Sequence, residues 1–331
     1  MSAWIMRRAL YMLLSLLMIT IVSFVIIQLP PGDYLTSYIS SLEATGEIVD
    51  AATVEALTKQ YGLDLPMYQQ YFFWMWKVVR GNFGKSFQWN LPVDRLLSER
   101  FPLTLAIALL ALIFIYVVSI PIGIYSATHQ YSFGDYVVSV AGFAGLAIPS
   151  FFLALMLVFV FYKYFGINLS GLFSQKYIGQ PWDAAKFFNM LMHLPLPILV
   201  VGAPGTAALI RVMRGCLLDE LQKQYVITAR SKGVDETALL FKYPVRVAVN
   251  PIISTMGWTL PQIVSGATIA AIVLGLPDVG SLLFTALMSQ DMYLAATIVL
   301  FLTSLTIVGT FISDILLAWI DPRIHYEKKA A

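Results

Sequence analysis

The sequence predicts an all-α protein that crosses a lipid bilayer several times, and three observations carry that reading. Of 331 residues, 59% are hydrophobic and only 12% are charged, too few charges to cover a soluble body of this length. The apolar residues gather in runs of about 20, the length a helix needs to cross a hydrocarbon core of roughly 30 Å. The charges fall between those runs, most densely in Thr228–Arg246, where four bases and two acids share nineteen positions.

Six apolar segments can be read, at roughly 9–29, 102–124, 136–162, 190–212, 252–276 and 293–319. Arg7 and Arg8 precede the first, as they would in a secretory signal. It is too long for one and runs into Leu29-Pro30-Pro31 rather than a small-residue cleavage site, so it reads as a retained span. The same arginines put the N-terminus in the cytoplasm by the positive-inside rule. Six spans then return the tail 321–331, with Arg323, Lys328 and Lys329, to that side. The loop 213–251, with Lys223, Arg230, Lys232, Lys242 and Arg246, falls there too. Nine Lys/Arg lie on the other side, six of them in 30–101, but long translocated segments are largely exempt from the rule. The organisation is thus an N-terminus and first span (1–29), an extracytoplasmic region (30–101), a core of five spans (102–320) and a cytoplasmic tail.

Within 30–101, residues 51–61 have helix-forming composition, and "YQQYFFWMWKVV" (68–79) clusters Tyr71, Phe72, Phe73, Trp74 and Trp76 beside Tyr68. Such a run suits either an interfacial helix at the headgroup level or a helix packed on neighbouring spans. The fourth span carries Pro195, Pro197, Gly202, Pro204 and Gly205, and the fifth carries Gly257, Pro261 and Gly266. Broken helices are tolerated in lipid only where protein or a water-filled cavity receives the freed backbone groups. These two spans are therefore expected to line a translocation pathway, with Thr259, Gln262, Ser265 and Thr268 as its candidate lining residues. Close packing through small residues is the alternative.

Several function classes are excluded. A net charge of +2 with no basic stripe argues against nucleic acid. The single Cys216 forms no intrachain disulfide, and no Cys/His spacing resembles a metal site. His129, His193 and His325 are far apart, and neither H-E-x-x-H nor G-x-S-x-G occurs, so no catalytic residue is assigned. "GNFGKS" (81–86) ends like a phosphate loop, but Val79 stands where the first glycine is required. No cofactor is expected. An ion-coupled secondary transporter or channel is the alternative function, but such proteins normally hold ionisable groups deep in their spans. Here Asp314 is the exception, and its nearness to Asp321 places it towards the cytoplasmic interface.

In the cytoplasmic loop, Leu217, Leu218, Leu221, Tyr225, Val226 and Ala229 recur at three or four residues, which predicts one amphipathic helix over 215–232, stopped by Gly233. Asp235 can cap a second short helix carrying Ala238, Leu239, Leu240 and Phe241, limited by Pro244. Two short helices with one charged and one apolar face suit a partner-docking element; a solvated loop is the alternative.

"YVITARSKGVDETALLFKYPVRVAVNP" resembles the cytoplasmic EAA loop of permeases of ABC importers of the dipeptide/oligopeptide/nickel type, through Tyr225, Val226, Thr228, Ala229, Arg230, Lys232, Gly233, Phe241, Arg246, Ala248 and Pro251. "YGLDLPMYQQY", "GNFGKS", "FPLTLAIALLAL", "PIGI", "AIPSFFLAL", "GLPDVG" and "DPRI" follow that family's motifs in order. Ile227 stands at the first glutamate of the signature, Pro244 at a small apolar position and Asp278 at a glycine. The resemblance implies the type I importer permease fold, with six spans and a cytoplasmic coupling helix around Gly233. It implies that Tyr225, Thr228, Ala229, Arg230, Lys232, Gly233, Asp235, Phe241 and Arg246 couple to an ATPase. It also implies a second homologous permease subunit, two cytoplasmic ATP-binding subunits and an extracytoplasmic substrate-binding protein. The expected place is the cell inner membrane, and the solute a di- or oligopeptide or an oligosaccharide-like compound.

Overall fold

A computed structural model describes residues 2–28, 55, 58–59, 64–86 and 88–320. Most of 51–61, all of the tail 321–331 and the side chain of Ser265 lie outside the described residues. The described chain is helical almost throughout: α1 (Ser2–Gln28), α2 (Met67–Val79), α3 (Val93–Thr128), α4 (Phe133–Ala147), α5 (Ser150–Phe165), α6 (Ala184–His193), α7 (Pro195–Leu221), α8 (Gln224–Ser231), α9 (Glu236–Lys242), α10 (Pro244–Ala248), α11 (Asn250–Gly266), α12 (Thr268–Val273), α13 (Val279–Met288) and α14 (Met292–Ile320). Among the described residues, β pairing is confined to one isolated bridge between Lys85 and Pro92.

Local chemistry sets many of these boundaries. Ser132, Asp183, Asp235 and Asp278 each accept a backbone N–H from the first turn of α4, α6, α9 and α13. The Asp278 cap explains an acidic residue where the family pattern has glycine. Among the described residues, three helical stretches are long and apolar enough to cross a bilayer: Val93–Thr128, Ala184–Leu221 and Met292–Ile315.

Three of the expected spans are built differently from the sequence reading. The third is two helices, α4 and α5, bent by 107° at Ile148-Pro149. Proline has no N–H to give and disfavours helix at the residue before it, so the apolar run continues while the helix does not. The fourth runs well past residue 212, to Leu221, and is preceded by α6, whose last residue lies two before Pro195. The fifth is interrupted at Ala267, directly after Gly266, giving α11 and α12.

The elements fall into two compact units. One gathers the described residues up to Thr104 with Pro277–Leu305; the other takes Leu105–Leu276 and the described residues from Thr306 on. In the first, one face of α2 packs on α1 and the other stays exposed. Trp74 stacks on Phe24 of α1 at 5.7 Å between centroids, and the Tyr71 hydroxyl lies 2.9 Å from Thr20 Oγ1. Tyr68, Phe72 and Trp76 remain exposed, with Arg80 seated 4.1 Å over the Trp76 ring. The turn carrying "GNFGKS" docks on the start of α14, where the fully buried Asp291 carboxylate accepts from Ser86 Oγ and from the backbone N–H of Gln88 at 3.2 Å. Gly84 is needed there, because a Cβ on it would stand 2.9 Å from the Tyr293 ring.

In the second unit, α7 packs against α4, α5, α10, α11 and α12. Small residues allow close approach: a Cβ on Gly202 or Gly205 would lie 2.8 Å from Phe114 or Ile115 of α3, and one on Gly123 would lie 2.6 Å from Met213 Cβ. Hydroxyls cross-link the helices further. Tyr116 Oη donates to the Ile252 carbonyl at 3.1 Å, and Ser313 Oγ donates to the Ile253 carbonyl at 2.7 Å.

Candidate functional site

The charged loop is three short helices hung on the end of α7. The single helix expected over 215–232 is not formed. Instead α7 ends at Leu221, Gln222 and Lys223 make a break, and α8 begins at Gln224. The apolar spacing survives the break because both helices turn the same face inward. Tyr225, on the first turn of α8, donates its hydroxyl to the Glu220 carboxylate in the last turn of α7 and so braces the joint. Partial desolvation, and then the Glu220 carboxylate beside it, push the Tyr225 phenol above its ordinary value.

Gly233 ends α8 as expected, at φ +74°. The Gly233 N–H bonds to the Arg230 carbonyl at 3.0 Å, and the Val234 N–H bonds to the Ala229 carbonyl at 3.4 Å, the paired bonds of a Schellman turn. Nothing lies within 4 Å of where a Cβ would stand, so the requirement is conformational rather than steric. Asp235 then caps α9, accepting from Thr237 N and Ala238 N at 3.1 Å each. Arg230 bridges the turn to Glu236, Nε to Oε1 at 2.7 Å and Nη2 to Oε2 at 3.2 Å. The Arg230 guanidinium holds the Glu236 carboxyl below its usual range.

Of the predicted coupling residues, Tyr225, Thr228, Arg230, Lys232, Gly233, Asp235, Phe241 and Arg246 are exposed on this element. Ala229 is not: it is buried with Val226 and Leu239 in a small core of the loop, against which Val234 and Tyr243 pack. The loop thus has its own apolar centre and still presents Tyr225, Ile227 and Phe241 to solvent, Phe241 at 57% exposure. Exposed apolar and aromatic groups on a rigid, charged rim are the composition of a docking surface.

The broken spans also come together. Val201, Pro204, Gly205 and Ala208 of α7 face Thr259, Gln262, Ile263 and Gly266 of α11 across a cavity of about 280 Å³, closed by Ile115, Leu146 and Ser150. Its lining carries no charge. Thr259 and Gln262 line this cavity, whereas Thr268 begins α12 and does not. Pro204 has no N–H, so the Val200 carbonyl loses its helical donor beside this space.

One cluster was not foreseen. Arg214 of α7 grips Asp135 of α4 in a two-pronged ion pair, Nε to Oδ1 and Nη2 to Oδ2 both at 2.9 Å, and Nε lies 3.1 Å from Ser126 Oγ of α3. Ser126 donates to the same carboxylate, and so does the Tyr131 N–H at 3.0 Å. Asp135 is 3% exposed. The one available sequence signal was Ser132-x-x-Asp135, a helix-start pattern, which says nothing of Arg214. Among the described residues, no group of three or more His, Cys, Asp or Glu could hold a metal.

Residues 119–326 match the family described as "Binding-protein-dependent transport system inner membrane component", and residues 1–108 match its N-terminal companion, "Binding-prot-dependent transport system membrane comp, N-term". The chain is 35% identical to the oligopeptide transport system permease protein AppB of Bacillus subtilis over 98% of this chain and all of that protein. It is 30% identical to the inner membrane ABC transporter permease protein YejB of Escherichia coli O157:H7, over 99% of this chain and all of the relative. The oligopeptide transport system permease protein OppB of Haemophilus influenzae is 29% identical over 98% of this chain and all of that protein. Among solved structures, the inward-facing MetNI methionine ABC transporter shares the fold, with TM-score 0.53 and 14% identity over 69% of this chain and 97% of that one. An all-helical chain with apolar helices of spanning length, a self-contained charged loop and full-length likeness to these permeases belongs to the binding-protein-dependent transport system inner membrane component family.

Proposed function

We propose that this chain is one permease subunit of an ATP-driven importer for di- or oligopeptides, crossing the bilayer six times with both termini in the cytoplasm. A second, homologous permease subunit completes the pathway, an extracytoplasmic binding protein delivers the solute, and two cytoplasmic ATP-binding subunits supply the energy. The peptide class is supported by the names of the relatives in Bacillus subtilis and Haemophilus influenzae.

The observation that carries the reading is the loop Gln224–Lys242. It is ordered by its own core and cap, and it keeps Tyr225, Ile227 and Phe241 outward. A docking element must be stiff to transmit a push, and this one is stiffened at its start by the Tyr225–Glu220 bond and in its middle by Gly233's turn. Closure of ATP-bound partner subunits would move two such loops together and bias the permease between inward- and outward-open states. The uncharged cavity between α7 and α11 is the segment of the pathway contributed by this subunit, with Thr259 and Gln262 offering hydrogen bonds to a polar, net-neutral solute.

The test is reconstitution. The chain co-expressed with its neighbouring permease, ATPase and binding-protein genes is expected to yield a complex that takes up labelled peptide into vesicles only with ATP. Uptake that persists without ATP and collapses with an ion gradient would overturn the proposal.

A further inference from the structure

Asp135 and Arg214 lie at a corner where three helices end or begin: α3 finishes just past Ser126, α4 starts at Phe133, and α7 is two turns from the break that leads into α8. Every polar atom of the Asp135 carboxylate is used. Oδ1 accepts from Arg214 and Ser126, and Oδ2 accepts from Arg214 and from the backbone of Tyr131. Tyr131 itself stands at φ +63°, a conformation costly for a residue with a side chain, so the carboxylate also holds the α3–α4 turn in a strained shape. One turn of α3 before Ser126, Met213 fills the space a side chain at Gly123 would need, and Tyr125 fills the space at Gly134. The corner has no slack. Motion at the end of α7 cannot be absorbed there by sliding.

We propose that the Arg214–Asp135 pair is the joint through which displacement of the loop Gln224–Lys242 reaches α3 and α4, so that these helices move with α7 as one lever. The proposal rests on the coupling role proposed above for that loop. Loop, joint and helices form a continuous chain: Arg230–Glu236 closes the turn at Gly233, Tyr225–Glu220 fixes α8 to α7, and Arg214 ties α7 to both other helices. Arginine suits the task because its planar fork engages both carboxylate oxygens and fixes orientation as well as distance. Arg214 and Asp135 are positioning residues: they need touch neither solute nor ATPase.

The experiment measures peptide uptake and ATP hydrolysis side by side in the reconstituted importer, alone and as a double-mutant cycle. Asp135→Asn is expected to keep hydrolysis within about twofold while uptake falls about tenfold, so that ATP used per peptide rises about tenfold. Arg214→Lys, which keeps the charge and loses the fork, should give a smaller rise, about threefold. The exchanged pair, Asp135→Arg with Arg214→Asp, should recover part of the ratio. Equal loss of uptake and hydrolysis in both single variants, or an unchanged ratio in both, would overturn the joint and leave a structural tie. Arg214→Lys decides the matter if Asp135→Asn does not assemble. A wild-type importer with no ATP-dependent uptake would instead defeat the functional reading beneath it.

Discussion

Glu236 reaches back across the left-handed Gly233 to hold Arg230 with both carboxylate oxygens, and neither side chain is buried in doing so. An exposed pair adds little to stability. Its effect is to fix where a cation sits on the rim of the loop, two residues before the exposed Lys232. Charge reversal at Arg230 and Lys232 together is therefore expected to leave the protein in the membrane at near-normal level and to cut peptide uptake tenfold or more. Uptake assays paired with pull-down of the ATPase check this, and wild-type values for both would remove the loop from the coupling route.

Gly233→Ala isolates backbone conformation from bulk, since the new methyl meets open space. The left-handed geometry costs a residue with a Cβ roughly 1–2 kcal/mol. The expected outcome is faster hydrogen exchange across 224–242 with little change in the rest of the chain. Gly233→Pro, which also removes the N–H bonded to Arg230, should disrupt the turn and abolish uptake.

The cavity between α7 and α11 predicts a separation of binding from energy supply. Ala208→Phe fills space that Pro204, Thr259 and Gln262 now share, and Gln262→Glu places a charge where the lining has none. Both should lower uptake by tenfold or more while the ATPase still associates and hydrolyses. Undiminished uptake in both variants would mean that the solute passes elsewhere.

Gly123 tests the packing of the second unit. A methyl there would meet Met213 Cβ and Cγ and the Ile210 carbonyl, none of which is a freely moving tip. Gly123→Ala is expected to cost about 1–3 kcal/mol through overpacking, read as a lower thermal midpoint of the detergent-solubilised protein. An unchanged midpoint would show that α3 and α7 can separate at no cost.

How much of this was legible in the sequence depended on whether the controlling chemistry was local. Gly233, Asp235 and Pro244 act on their own neighbours, and the turn, the cap and the start of α10 all stand where those residues put them. The break at Gln222 and Lys223 gave no such sign, because both residues are acceptable in helices and only the packing of α7, α8 and α10 bends the chain there. Pro149 stands inside an apolar run long enough to cross a bilayer, so run length and helix breaking point opposite ways there. Thr259 and Gln262 stand out in the sequence because breakers and polar groups coincide in one span, and both line the cavity. Asp135 and Arg214 could not be paired, since they lie 79 positions apart and each looks ordinary in its own segment.

The bend at Ile148-Pro149 bears on movement as well as shape. Arms of 15 and 16 residues are each about 23 Å long at 1.5 Å per residue, short of a full crossing on their own. Pro149 never had an N–H to lend the preceding turn, and the first N–H groups of α5 have no helical acceptor in any case. The angle between the two arms can therefore open or close without breaking a single helical hydrogen bond. In a medium where a lost backbone bond costs several kcal/mol, that removes one cost of flexing at this corner and leaves the packing of both arms on α7 to set the angle.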